Sequence, residues 1–147
     1  MFIDAISRRT MLRLGSALIC AMCAFGSYSS IAADTAKKLM LSGKQEVPPV
    51  KSAGKGTGAI IIAADHSVSG SVTTTGIAGT AAHIHEGTAS QNGPVVIALA
   101  KDGDTYSVPS GAKLTDAQFE SYQAGKLYIN VHTAANPGGE LRAQLKH

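Results

Sequence analysis

Ala81-Ala82-His83-Ile84-His85-Glu86 and, further on, Leu127-Tyr128-Ile129-Asn130-Val131-His132-Thr133 decide how this chain folds. In both stretches apolar residues alternate with histidine or another larger polar side chain. A β-strand turns successive side chains to opposite faces. His83 and His85 therefore share one face, with Ala82 and Ile84 on the other. Tyr128, Asn130 and His132 share a face likewise, backed by Leu127, Ile129 and Val131. The apolar sets belong in a core, which leaves three imidazoles together on the non-core side of a sheet.

The neighbouring segments extend the same reading. Leu39 to Leu41, Ala59 to Ala63 and Val68 to Thr75 are strand-like, and Asp65-His66-Ser67 makes a hairpin turn between the last two. Lys51 to Gly58, glycine-rich and polar, reads as a loop. Val47-Pro48-Pro49-Val50 cannot be a central strand, because a proline has no N–H to donate. Val95 to Ala100 reads as one short buried strand and Lys101 to Ser110 as a turn-rich connection. Asn136-Pro137-Gly138-Gly139 turns the chain into a final strand, Glu140 to Leu145, with Leu141, Ala143 and Leu145 on one face. One helix is signalled, Asp116 to Ala124. Thr115 caps it, Gln118 completes a capping box, and Gly125 ends it. The pattern predicts an all-β fold, an antiparallel β-sandwich with one short helix.

The first 32 residues read as an export signal. Arg8, Arg9 and Arg13 precede a mostly apolar stretch from Leu14 to Gly26, and Ser30-Ile31-Ala32 has cleavage-site character. Ser7-Arg8-Arg9-Thr10-Met11-Leu12-Arg13 resembles the twin-arginine motif, with an ordinary secretory signal as the alternative. The expected mature domain, 33–147, lies in the periplasm or outside the cell and has no transmembrane segment. Both cysteines, Cys20 and Cys23, fall in the leader, so disulfides, thiolate metal sites and thiol catalysis are excluded from the mature domain. Removing Arg8, Arg9, Arg13 and Asp4 lowers the net charge from +3 to +1. No basic cluster of nucleic-acid type remains.

The chemistry centres on the histidines. His83 and His85, two apart on a strand, can converge on one ion, and His132 from a second strand would make a three-nitrogen site with open positions. Imidazole suits several transition metals, and copper(II) leads the affinity series. Tyr128 and Asn130, on the face of His132, are candidates to support the ligands from behind. Glu46, Asp65 and Glu140 are candidate carboxylates for orienting an imidazole, with a plain surface charge as the alternative for each. Glu86 reads as a solvated loop carboxylate. His66 and His147 read as solvated, either being a conceivable fourth nitrogen. Arg142 reads as an ion-pair partner of Glu140, or as a charge that attracts an anionic substrate. A metal-free surface with ordinary solvated histidines is the competing reading.

Leu41-Ser42-Gly43-Lys44-Gln45-Glu46-Val47-Pro48-Pro49-Val50, Ala82-His83-Ile84-His85, and Tyr128 to Thr133 followed by Asn136 to Arg142 resemble the CHRD (chordin) domain family from about Leu39 to Leu145. That resemblance implies an extracytoplasmic module. It also raises an interaction role, a metal-free module binding a protein or polysaccharide. His83-Ile84-His85 and Val131-His132 are also similar to motifs of the copper/zinc superoxide dismutases. This second resemblance implies a Greek-key sandwich of immunoglobulin/superoxide dismutase type. It implies copper on His83, His85 and His132, with superoxide as substrate and Arg142 steering it. The bridging histidine, the zinc ligands and the subloop disulfide of those enzymes have no counterpart here. A single metal is the most it implies, held by a dismutase or by a passive copper carrier.

Overall fold

A computed structural model describes residues 37–147; the export signal and its cleavage site lie outside the described residues. The described chain forms nine strands, one α-helix and a single 3-10 turn at Gly43–Gln45. The strands and the helix are β1 (Lys38–Leu41), β2 (Lys55–Ile62), β3 (Val68–Thr75), β4 (Gly79–Glu86), β5 (Val95–Ala98), β6 (Ala100–Asp102), β7 (Thr105–Ser107), α1 (Asp116–Gln123), β8 (Leu127–Thr133) and β9 (Leu141–Leu145). Two antiparallel sheets result, ordered β1-β2-β3-β7-β6 and β5-β4-β8-β9. The chain passes from one sheet to the other between β3 and β4, β5 and β6, and β7 and β8. β3 therefore lies beside β7 rather than β4, the kind of non-sequential neighbourhood that Greek-key sandwiches have.

Alternation decides what faces inward. Ile84, Leu127, Ile129, Val131 and Leu141 from one sheet and Val72 and Tyr106 from the other are fully buried. Burying such side chains is the main favourable term in folding, about 25 cal/mol per Å² of apolar surface. The helix begins as its sequence predicts. The Thr115 side chain accepts the Gln118 N–H, and the Gln118 side chain accepts the Thr115 N–H. Gly125 ends it with φ +68°, a conformation glycine adopts without steric cost.

Three expectations are corrected. The loop assigned to Lys51–Gly58 ends early, because β2 starts at Lys55 and pairs with both β1 and β3. Its glycines are packing glycines: a Cβ at Gly58 would collide with the Ser71 carbonyl. Val95–Ala100 is two strands in two sheets, not one buried strand. Val95 is 53 % exposed on the edge strand β5, and the chain changes sheets at Leu99, whose N–H donates to the Ala82 carbonyl at 3.0 Å. The connection Lys101–Ser110 contains the β6–β7 hairpin, turned by Gly103 at φ +56°. Strands of three residues are too short to reveal a period of two.

The outer face of the β5-β4-β8-β9 sheet carries the histidines, as the alternation requires. It is not open to water throughout. Tyr128, Asn130 and Arg142 on that face are 1 %, 2 % and 1 % exposed. Segments 43–50, 87–94 and 134–140 cover them, tied down by side-chain bonds such as Asn92 Nδ2 to the Val47 carbonyl at 2.6 Å.

Candidate metal centre

β4 and β8 pair antiparallel, with His83 opposite Asn130 and His85 opposite Tyr128. His132 sits one outward-facing position beyond Asn130. This register gathers the three imidazoles. One ligand nitrogen from each of His83, His85 and His132 lies within 4.8 Å of the others, the only such cluster of metal-binding side chains among the described residues. His83 Nδ1 and His132 Nε2 are 2.9 Å apart.

Two of the rings are oriented from behind. His85 Nδ1 is 3.0 Å from the Gly93 carbonyl, and His132 Nδ1 is 2.9 Å from the Pro137 carbonyl. A carbonyl oxygen can only accept, so both Nδ1 atoms carry the proton and both Nε2 atoms are left with a lone pair. An imidazole whose second nitrogen donates to a backbone carbonyl is the usual arrangement behind a metal ligand. His85 Nε2 is buried and has no hydrogen-bond partner. His83 and His85 have pKa values below the ordinary histidine range. Burial is the largest cause for each, and the neighbouring imidazoles add to it. Both shifts keep the rings neutral, the state a metal requires.

The supporting residues fall into place around this trio. The Tyr128 ring stacks on His85, with 4.9 Å between centroids and 6° between planes. Its hydroxyl accepts the Gly93 N–H at 3.2 Å, so it also steadies the peptide that orients His85. Glu140 holds the turn after β8. Its Oε2 accepts Thr133 Oγ1 at 2.6 Å and Asn136 Nδ2 at 3.1 Å, and its Oε1 accepts Ser52 Oγ at 2.7 Å. The bonds from Thr133 and Ser52 keep this carboxyl below its usual pKa. That turn presents the Pro137 carbonyl to His132. Asn130 donates from Nδ2 to the Gly138 carbonyl at 3.4 Å, while its Oδ1 has no partner.

Other assignments change. Arg142 does not pair with Glu140. Its guanidinium donates to Asn92 Oδ1 at 2.9 Å and to the Thr88 and Gln91 carbonyls at 2.6 and 3.0 Å. With 1 % of the residue exposed, its observed contacts are with the covering loop rather than with solvent. Glu46 is buried rather than a surface charge. Burial pushes its carboxyl up to about 7, against the opposing pull of Arg142 and of hydrogen bonding from Val47 and Asn130. Glu86 is not simply solvated, since it accepts Ser121 Oγ from the helix at 2.6 Å. Asp65 is away from the histidines, bonding Ser67 in the β2–β3 turn. His66 stacks on Phe119 and lies 3.4 Å from Asp116, and His147 lies against Tyr122, so neither joins the cluster. The carbonyls of Gly93 and Pro137 escape a reading of side chains. Their one sequence signal is the pair of turn-forming runs, Asn92-Gly93-Pro94 and Asn136-Pro137-Gly138-Gly139.

A family model described as the CHRD domain matches residues 38–145. No curated protein matches the chain, and no solved structure does. The likeness to the copper/zinc dismutases therefore remains one of short motifs.

Proposed function

This chain belongs to the CHRD domain family, and from that premise we propose that it is an extracytoplasmic domain whose His83, His85 and His132 hold one transition-metal ion, copper first. No helix among the described residues is long and apolar enough to cross a membrane. The observation that carries the reading is the pair of Nε2 lone pairs aimed by backbone carbonyls, beside a third ring within reach. Histidines that merely face solvent have no need of fixed tautomers.

Donor chemistry favours copper. The three donors are all imidazole nitrogens with no thiolate, and copper(II) leads the affinity order of the divalent metals that imidazole suits. Bound copper would supply a one-electron centre. The protein's own part is to hold neutral imidazoles in place and to shield them with Tyr128 and the covering loops.

We place copper holding ahead of superoxide dismutation. The arginine that would draw in the anion donates from Nη1 and Nη2 to the loop over it. Metal analysis of protein purified without a histidine tag tests the reading. About one copper per chain is expected, with binding lost in a His83→Ala/His85→Ala variant. A folded protein that refuses added copper would point instead to a metal-free interaction module.

A further inference from the structure

We infer that the amide oxygen of Asn130 is a fourth ligand of the three-histidine centre, making it an N3O site; the inference rests on the metal-binding reading above. Asn130 stands directly opposite His83 in the β4–β8 ladder and two residues before His132 on the same face. It is 2 % exposed. Its amide nitrogen donates to the Gly138 carbonyl at 3.4 Å. Glu46 lies beside that nitrogen: a Cβ built on Gly139 would be 2.6 Å from both Asn130 Nδ2 and Glu46 Oε1. With the nitrogen so engaged, Oδ1 is the end of the amide left for a ligand.

Oδ1 is a buried acceptor without a donor, and so is His85 Nε2. The two belong together, because the Asn130 side chain is close enough to His85 to act as a hydrogen-bond acceptor for it. Yet the one proton of the neutral ring is on Nδ1, held by the Gly93 carbonyl. Both atoms are thus acceptors with no hydrogen to satisfy them. A buried acceptor left unpaired is destabilising, and here there are two. A cation satisfies both at once. Amide oxygen is a hard donor and a weaker partner for copper than imidazole, so it completes the coordination without closing the site to exchange.

Copper(II) is the probe. Asn130→Leu keeps the shape of the side chain and removes the oxygen, while Asn130→Asp keeps an oxygen in place and adds charge. We expect copper(II) affinity, measured by chelator competition, to fall ~10-fold or more in Asn130→Leu. Asn130→Asp should bind at least as tightly as the parent. The electron paramagnetic resonance parameters of bound copper should shift in both variants. Thermal melts of the metal-free variants show whether each still folds. If Asn130→Leu folds and binds copper with the parent's affinity and spectrum, Asn130 is no ligand and the three-histidine reading stands without it. If Asn130→Leu loses affinity but Asn130→Asp does not recover it, and neither alters the spectrum, the oxygen is not on the metal. A parent protein that binds no copper overturns both readings together.

Discussion

The Arg142 guanidinium lies 3.5 Å from the centroid of the Tyr128 ring. The same ring stacks on His85. Tyr128, on the middle strand of β4-β8-β9, therefore touches both the candidate ligand and the cation that anchors the covering loop. A cation over an aromatic face is attracted by the ring quadrupole, and the planar guanidinium suits such stacking better than an ammonium would.

Arg142→Ala would leave the Thr88 and Gln91 carbonyls and Asn92 without their donor and remove the cation from Tyr128. We predict a loss of about 2–4 kcal/mol in the stability of the metal-free protein, read by urea denaturation. Unchanged stability together with lost superoxide activity of the copper-loaded protein would return Arg142 to a steering role.

Glu46 gives the fold a pH dependence of defined sign. Its pKa is raised from 4.5 to about 7, so between these values the folded state keeps a proton that the unfolded chain releases. The associated stability is complete below about pH 4.5 and is lost as pH rises through about 7. Comparing the parent with Glu46→Gln cancels His83 and His85, whose lowered pKa values act with the opposite sign. From about pH 4 to pH 8 the parent should lose about 1–3 kcal/mol relative to the variant. A difference that does not change with pH would contradict a proton held at Glu46.

Copper binding should tolerate mild acid. Binding competes with protonation of the imidazoles, and the pKa values of His83 and His85 are lowered chiefly by burial. The neutral rings thus persist below the ordinary histidine value of 6.5, and affinity falls only as pH drops through the lowered values. Copper titrations across this range, corrected for proton competition at the chelator, check it. An affinity that falls steeply as pH drops through 6.5 would show that burial does not hold His83 and His85 neutral.

Glu140 and Thr115 separate support of the site from support of the fold. Glu140→Ala frees the turn that holds the Pro137 carbonyl against His132, and copper affinity should fall ~10-fold. Thr115→Ala removes the helix cap, for which we predict a stability loss of about 1 kcal/mol with unchanged copper affinity. Equal effects of the two variants on affinity would mean that Glu140 acts only through overall stability.

The features legible in the sequence are those written in local periodicity. Alternation in β4 and β8 places Ile84, Ile129 and Val131 in the core and His83, His85 and His132 on the far face. Thr115, Gln118 and Gly125 mark the helix because capping is a contact between near neighbours. What escaped is non-local. The burial of Arg142 depends on the loop 88–92, about fifty residues earlier in the chain. Glu46 looks like a surface carboxylate until the 43–50 segment folds over the sheet. The β6–β7 hairpin is too brief for a period, and β2 begins at glycines that serve close strand packing rather than a loop.

The most direct measurement is pulsed electron paramagnetic resonance of copper(II)-loaded, untagged protein, counting imidazoles bound to the ion. We predict three in the parent and two in His132→Ala. A count of one or none in the parent, or a count that His132→Ala leaves unchanged, would contradict a common ion shared by β4 and β8.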